Sequence, residues 1–297
     1  MDIYPPRITS NSGLHPIFIP NCSLLPRIIK DTELRDLYEM LSELDKMFTK
    51  YNVRYTLYGG TLFGSYLFHD ILPWDDDIDI NTDIDDFERQ ILAFKELVQT
   101  GEYGIYKRTD TKDIYSEFQC GVEHRNFTAW RELWNNGKND LYLHAKLGKC
   151  NGATVPPYKW KLPSIDVQNY MKDEKFVWER KTKDLIPRKD FFPLHRRPFN
   201  NDWFSSMKNP LAYYKVKNGD KKFKCMYHYY DHMLERNIPN DDIKIANCSD
   251  LAKCYPIVHR IKQTYTTQET LMYKDLTLHS VDIPEVLEKD LKPLSFN

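Results

Sequence analysis

The chain has 297 residues, of which 41% are hydrophobic and 29% are charged, a composition typical of globular proteins. Its 42 basic and 43 acidic residues leave a net charge of −1, so the charge of the whole chain does not favour nucleic acid or a membrane surface as a partner. The sequence contains no apolar run of about eighteen residues, the length needed to span a membrane. Residues 1–20 lack the basic start and the apolar run of a signal peptide.

The N-terminal residues 1–30 contain five prolines, which predicts an extended arm lying on the rest of the protein. From Asp31 the pattern becomes helical, with Asp31 or Thr32 as the expected N-cap. The apolar face of this predicted helix consists of Leu34, Leu37, Tyr38, Leu41, Leu44 and Phe48.

A strand, a glycine turn and two further helices are predicted next. The strand covers residues 54–58, and a short helix runs from the glycine turn to about Phe68, because Pro73 excludes a longer one. A second strand covers residues 77–81, and Thr82 with Asp85 resembles a capping box that opens another helix. The apolar face of that helix consists of Phe87, Ile91, Phe94 and Val98.

The second half of the chain has weaker patterns. Residues 103–122, 141–147 and 163–170 are predicted strands, and residues 184–215 read as an ordered, irregular region that ends in a short helix. Residues 222–237 are predicted to form a helix, and the last sixty residues have no interpretable pattern. We therefore divide the chain into an arm (1–30), one main domain (31–237) and a C-terminal extension (238–297).

The glycine turn lies close in sequence to a run of alternate carboxylates. Backbone N–H groups at the glycine-rich helix start can hold phosphate oxygens, so Gly59, Gly60, Thr61 and Ser65 are predicted to contact a bound phosphate. Residues i and i+2 of a strand face the same side, which would place Asp75, Asp77 and Asp79 together. Three like charges on one face repel unless a cation lies between them, and carboxylate oxygens favour Mg²⁺ or Mn²⁺. The pairing predicts a metal-dependent transfer of a phosphate-bearing group.

Two other interpretations of the acidic run are a solvated loop and an EF-hand calcium loop. Asp75, Asp77 and Asp79 fit the first three ligand positions of an EF-hand. The sixth position, however, is Ile80 instead of glycine, and the twelfth is Asp86 instead of glutamate.

The six cysteines contain no CxxC pair, and their even number allows three disulfides, although a chain of this length does not need them for stability. An alternative is a zinc site, with Cys225, His228 and His232 joined by Cys248 or Cys254.

Two basic groups are alternative phosphate ligands. An ordinary solvated face is the preferred interpretation of Lys146, Lys149, Lys159 and Lys161. Arg196 and Arg197 are equally suited to phosphate and to pairing with acids.

The run from Gly60 to Gly64 and on through Pro73 to Ile80 resembles the first motif of the LicD family, which includes bacterial phosphocholine transferases and the animal fukutin and fukutin-related proteins. Residues 158–167 are similar to its second motif, and segments within 191–214 to its late region. The resemblance covers about residues 32–235 and points to the uncharacterised animal branch. It implies an α/β (α+β) nucleotidyltransferase fold of the polymerase-beta type, a small mixed sheet flanked by helices.

The resemblance also implies an activity. By analogy Asp166 is the third carboxylate, so the catalytic residues would be Asp77, Asp79 and Asp166, with Asp75 as a supporting metal ligand. The protein is then expected to use Mg²⁺ or Mn²⁺ to move a phospho-alcohol, such as phosphocholine or ribitol phosphate, from a CDP-linked donor to a glycan or glycoprotein. UDP-linked donors are the alternative to CDP-linked ones, and no nucleic-acid partner is expected. The alternative is a catalytically degenerate module that binds glycan or protein.

The chain departs from the family pattern after Tyr66. Family members usually carry Arg-His where this sequence has Leu67 and Phe68, and His69 is displaced. If that arginine contacts donor phosphate, either another Lys or Arg replaces it or the activity is reduced. The resemblance places the protein in the Golgi or secretory lumen if an anchor lies outside this sequence, and otherwise in the cytoplasm.

Overall fold

The computed structural model describes residues 22–25, 27–108, 118–121, 144–154, 156, 159–179, 182, 184–219, 224–226, 230–231, 236–239 and 243–284. Most of the predicted arm, residues 1–21, and the histidines 228 and 232 of the zinc hypothesis lie outside this part of the chain.

The first helix, α1, spans Asp31–Lys50 as the sequence predicts. Its predicted inner face is buried, with Tyr38 packed partly buried against the same core. The N-cap prediction is wrong, because Lys30 occupies that position and its backbone N–H donates to the Glu33 carboxylate at 3.0 Å. Glu33 thus makes the half of a capping box in which the N3 side chain accepts from the backbone N–H of the N-cap residue.

The predicted order of strand, helix, strand and helix is present. The elements are β1 (Tyr55–Leu57), α2 (Gly59–Phe68), β2 (Ile78–Asp83), a 3₁₀ turn (Ile84–Asp86) and α3 (Phe87–Gln99). The predicted apolar face of α3 is buried. Thr82 does not cap that helix, because it lies inside β2, and the Asp83 carboxylate instead accepts from the Asp85 backbone N–H.

Among the described residues, eight strands form a mixed sheet in the order β1-β2-β6-β5-β3-β4, with β7 on β6 and β8 on β7. β2 and β6 are parallel, and the other strand pairs described in this sheet are antiparallel. The strands not yet given are β3 (Tyr103–Arg108), β4 (Gln119–Cys120), β5 (His144–Thr154), β6 (Lys161–Lys172), β7 (Phe176–Glu179) and β8 (Ile186–Pro187). The main hydrophobic core joins α1 and α3 to this sheet, which confirms a mixed α+β architecture.

Residues 184–215 are more regular than the sequence suggests. After helix α4 (Arg188–Phe191), the strands β9 (His195–Phe199) and β10 (Asp202–Ser206) form an antiparallel hairpin, and helix α5 (Pro210–Asn218) follows. Short strands with proline and charged residues carry little periodicity, which hid the hairpin from sequence reasoning.

The predicted helix over 222–237 is wrong for the described residues, which form β11 (Lys224–Met226), β12 (Tyr230–Asp231) and β13 (Arg236–Asn237). β14 (Ile245–Asn247) pairs with β11, and a 3₁₀ helix (Cys248–Lys253) follows. The C-terminal extension then forms a three-stranded antiparallel sheet of β15 (Ile257–Lys262), β16 (Thr266–Tyr273) and β17 (Leu276–Pro284).

Three disulfides link Cys22 to Cys254, Cys120 to Cys150, and Cys225 to Cys248. All six cysteines are thus paired, which is the possibility that their even number left open. The zinc hypothesis is wrong, because Cys225, Cys248 and Cys254 are all disulfide-bonded. Four of these cysteines belong to a second apolar cluster that includes Phe68, Trp74 and Tyr255. In the part of the chain that the model describes, no helix has the length and apolarity needed to cross a membrane.

Candidate metal and phosphate site

The parallel pairing of β2 with β6 brings two distant aspartates side by side. Asp79 on β2 is the register partner of Asp166 on β6. Their strand neighbours Ile78, Ile80 and Ile165 are fully buried in the core, so the two carboxylates point to the opposite face of the sheet. Carboxylate oxygens of Asp77, Asp79 and Asp166 all lie within 4.8 Å of one another. These three residues are called the carboxylate cluster below.

Asp75 and Asp77 reach this region from a loop. β2 begins only at Ile78, so the prediction of three alternate carboxylates on one strand is wrong for these two residues. Asp77 nevertheless belongs to both possible metal-binding groups, one with Asp79 and Asp166 and one with Asp75 and Asp76. The loop is anchored by Trp74, which is 4% exposed and packs edge-on against Phe68 and Tyr255 of the second apolar cluster.

Two side chains from β5 bind the carboxylate of Asp166. Lys146 lies directly opposite Asp166 in the register, and its Nζ lies 2.8 Å from Oδ1 and 3.0 Å from Oδ2. His144 Nε2 lies 3.0 Å from Oδ2. Burial opposes the ionisation of Asp166, but the charge of Lys146 and the contact with His144 outweigh it and hold the pKa of that carboxyl well below its usual range.

The preferred interpretation of the lysines as a solvated face is therefore wrong for Lys146, which is 3% exposed. Lys149 pairs with Asp36 and Glu39 of α1, away from the cluster. Sequence reasoning missed His144 altogether. A signal was present, since His144 and Lys146 are i and i+2 on a predicted strand and so face the same side.

The glycine turn lies directly against the acidic residues. Gly59 has a φ of 55°, and a Cβ added there would lie 2.7 Å from Oδ2 of Asp79. A Cβ on Gly60 would collide with Oδ2 of Asp75. Two residues without side chains thus let the first turn of α2 approach the carboxylates, and the positive end of the helix dipole faces negative charge.

The side chains of Thr61 and Ser65 fasten α2 to neighbouring strands. Both residues are fully buried. The Thr61 hydroxyl accepts a hydrogen bond from the Asp79 backbone N–H at 2.8 Å, and the Ser65 hydroxyl donates to the Pro198 carbonyl at 2.7 Å. These hydroxyls therefore hold α2 to β2 and β9, while the contact of this helix start with phosphate stays a prediction.

Arg196 and Arg197 both pair with acids. Arg196 contacts Asp45 at 2.7 Å. Arg197 Nη2 donates to both oxygens of Glu269, which also contacts Arg260 at 2.8 Å and His69 at 2.8 Å. These four residues, Glu269, Arg197, Arg260 and His69, are called the Glu269 cluster. It joins α2 and the β9–β10 hairpin to the C-terminal sheet, a link that no local sequence pattern indicated.

The departures from the family pattern after Tyr66 have structural uses. Phe68 is 4% exposed and supports the acidic loop through Trp74, with ring centroids 5.8 Å apart, while Leu67 packs partly buried in the same cluster. The displaced His69 is 1% exposed and bonds through Nδ1 to His279 Nε2 at 2.7 Å.

The donor set of the carboxylate cluster suits a hard divalent cation. All three candidate ligands are carboxylates, whose oxygens are the ligands that such a cation takes, and Lys146 contacts one of them. The EF-hand interpretation is wrong, because Asp79 lies in a strand that is paired on both sides instead of in a loop between helices.

A groove of about 850 Å³ lies between α1, α3 and the β9–β10 turn. Its walls include Tyr38, Glu43, Glu96 and Phe199, and none of the predicted site residues lines it.

The comparisons with known proteins agree with this geometry. The family model described as the LicD/FKTN/FKRP nucleotidyltransferase domain matches residues 52–209, which include β1, the glycine turn, the acidic loop and β6. The chain is also similar to the uncharacterized protein RT0683 of Rickettsia typhi, with 32% identity over 72 residues. That match covers 23% of this chain and 23% of the relative. The family model spans more than half of the chain and includes all three residues of the carboxylate cluster, so the chain belongs to the LicD/FKTN/FKRP family.

Proposed function

We propose that this protein is a metal-dependent transferase that moves a phospho-alcohol from a CDP-linked donor to a glycan. The observation that carries the proposal is the convergence of Asp77, Asp79 and Asp166 beside a glycine-rich helix start. We also propose that the sheet and its helices form a nucleotidyltransferase fold of the polymerase-beta type. Support comes from β1, the glycine turn and β2 in succession, with the third aspartate on the adjacent strand β6.

Asp77 and Asp79 would hold the divalent cation, with Asp166 within reach of it. When bound, Mg²⁺ or Mn²⁺ would neutralise and orient the phosphate oxygens of the donor. The backbone N–H groups of Gly59 and Gly60 at the start of α2 would contact the same phosphates.

Transfer would form a bond from the acceptor oxygen to the phosphorus that carries the alcohol. The bond from that phosphorus to the oxygen of the nucleoside monophosphate would break, and that oxygen would leave with the electron pair. Asp166 would accept the hydrogen bond of the acceptor hydroxyl. Its depressed pKa makes it a weak base, so its main contribution would be to position the hydroxyl, and the proton would pass to solvent.

The test is a screen of CDP-linked and UDP-linked alcohols and sugars, with Mg²⁺, with Mn²⁺ and without metal, in which release of the nucleoside monophosphate is measured. We expect metal-dependent turnover with a CDP-linked donor and a loss of at least about 100-fold in Asp79→Asn. Asp275→Asn, at an exposed turn, is the matched control and should retain activity. Turnover that survives both Asp77→Asn and Asp79→Asn would show that the assignment is wrong.

A second candidate is a non-catalytic binding module on the same fold. It is favoured by Leu67 and Phe68, which replace the usual Arg-His and are used for apolar packing. Calorimetry with CDP in the presence and absence of Mg²⁺ separates the two, since a module without metal chemistry should show no metal-dependent CDP binding.

We further propose that the protein works in an oxidising compartment, such as the secretory lumen. Its three disulfides support this, because disulfides persist in such compartments and are rare in the cytosol. Mass spectrometry of the native protein under non-reducing conditions should find all six cysteines paired, and free thiols in the native protein would argue for the cytoplasm.

A further inference from the structure

Lys146 is a buried cation that contacts one member of the carboxylate cluster, Asp166. Its side chain is 3% exposed, and its Nζ lies 5.1 Å from the ring centroid of Trp160, which is itself 5% exposed. An ammonium group is costly to bury unless it is paired, so its pairing with both oxygens of Asp166 is a built feature of the fold.

The lysine is also fixed in place. It lies on β5 directly opposite Asp166 in an antiparallel register, so the pleat of the sheet aims the two side chains at each other. A charge held by two paired strands moves less than one on a loop.

A second metal ion would compete with this lysine. In two-metal sites the ions lie roughly 3.5–4 Å apart and share carboxylate ligands. Here both oxygens of the candidate bridging carboxylate, Asp166, already contact Lys146 Nζ, and Oδ2 also contacts His144. An added divalent charge would lie next to a buried positive charge and be repelled by it.

We propose that Lys146 takes the place of a second metal ion on Asp166, so that the carboxylate cluster binds a single divalent cation. This inference rests on the proposed function, since it assumes that the cluster binds metal at all. In this arrangement Asp77 and Asp79 hold the ion, and the ammonium group supplies the positive charge on the acceptor side. Lys146 also provides a basic group at the candidate site, in a chain that lacks the family's usual arginine after Tyr66.

The test counts the Mn²⁺ ions bound to the wild-type chain in the presence of CDP, by calorimetry and by electron paramagnetic resonance of free Mn²⁺. We expect one ion per chain. Two ions would overturn the inference about Lys146 while leaving the proposed function intact, whereas no bound Mn²⁺ would overturn both. This count needs no variant and therefore does not depend on whether a substituted chain folds.

Variants of Lys146 test whether this lysine takes the place of a metal ion or only forms an ordinary buried ion pair with Asp166. Lys146→Met should acquire a second, weaker Mn²⁺ ion on the released Asp166, and Mn²⁺ should raise its melting temperature more than that of the wild type. Lys146→Arg keeps the positive charge and should still bind one ion. Lys161→Met, on the neighbouring strand with its Nζ bonded to Thr154, is the matched control and should bind as the wild type does. A Lys146→Met chain that folds and binds Mn²⁺ with unchanged number and affinity would overturn the inference.

Discussion

The carboxylate cluster and the Glu269 cluster are both charged and largely buried, yet they bring together different side chains. In the first, three carboxylates lie within 4.8 Å of one another, and Lys146 contacts one of them. In the second, a single carboxylate contacts two guanidinium groups and an imidazole. Three carboxylates at close range offer the oxygen ligands that a divalent cation takes, whereas a single carboxylate held by two guanidinium groups is a structural joint. The comparison indicates that the set of side chains, more than their burial, separates a candidate binding site from a structural joint.

The largest expected effect concerns the structural joint. Glu269→Gln should lower the free energy of unfolding by about 3–5 kcal/mol, because it leaves Arg197 and Arg260 buried without their carboxylate. Chemical denaturation measures the change, and the exposed Asp275→Asn should stay within about 0.5 kcal/mol of the wild type. A small change at Glu269 would mean that the C-terminal sheet is not joined to the core through this cluster.

The second effect is a dependence of stability on pH. Burial lowers the pKa of His69. The pKa of His279 is lowered to about 4, mainly by burial and to a smaller extent by the charge of His69. Each histidine takes up a proton more readily in the unfolded chain. The contribution of the two neutral histidines to the free energy of unfolding should therefore be fully present above about pH 6.5 and be lost as the pH falls towards 4.

We expect a loss of about 2 kcal/mol over this range, measured by denaturation at successive pH values. His279→Gln should reduce the dependence, and the exposed His259→Gln on β15 should leave it unchanged. An unaltered pH profile in His279→Gln would contradict the assignment to this histidine pair.

The third effect is an increase in the free energy of unfolding, whereas Glu269→Gln lowers it. Asp77→Asn or Asp79→Asn should raise the free energy of unfolding of the metal-free protein by up to about 1 kcal/mol, because each removes one of three close like charges. The same variants should lose the rise in melting temperature that Mn²⁺ gives the wild type. Thermal denaturation with and without Mn²⁺ tests both statements, and a destabilised metal-free variant would mean that the cluster is balanced as the Glu269 cluster is.

The smallest expected effect is a change in Mn²⁺ affinity, which isolates the close approach of α2 to the carboxylates. Gly59→Ala and Gly101→Ala both place a side chain at positive φ, which costs about 1–2 kcal/mol. Only the Cβ at Gly59 would meet Asp79, since nothing lies within 4 Å at Gly101. Calorimetry with CDP and Mn²⁺ should therefore show weaker Mn²⁺ binding in Gly59→Ala alone, and equal binding in the two variants would mean that the close approach of α2 does not matter.

The predictions from sequence succeeded where the pattern was local. The inner faces of α1 and α3, the helix after the glycine turn and the burial of Ile78 and Ile80 all follow from the spacing of apolar residues. The pairing of the six cysteines, the hairpin at 195–206 and the C-terminal sheet were not predicted, because pairing between distant segments leaves no periodic trace in either of them. The hydrogen bonds of Thr61 and Ser65 were not predicted either, because the sequence shows which residues have a hydroxyl but not where that hydroxyl donates or accepts.

By itself the sequence determined the chemistry present at the candidate site: a glycine turn, an acidic run and, through family resemblance, a distant aspartate. Tertiary structure alone decided which charges meet. The parallel pairing of β2 with β6 sets Asp166 beside Asp79, and the antiparallel pairing of β5 with β6 sets Lys146 against that same aspartate. The physical reason is that electrostatic energy depends on distances of a few ångströms between groups, and strand register fixes those distances between residues that lie far apart along the chain.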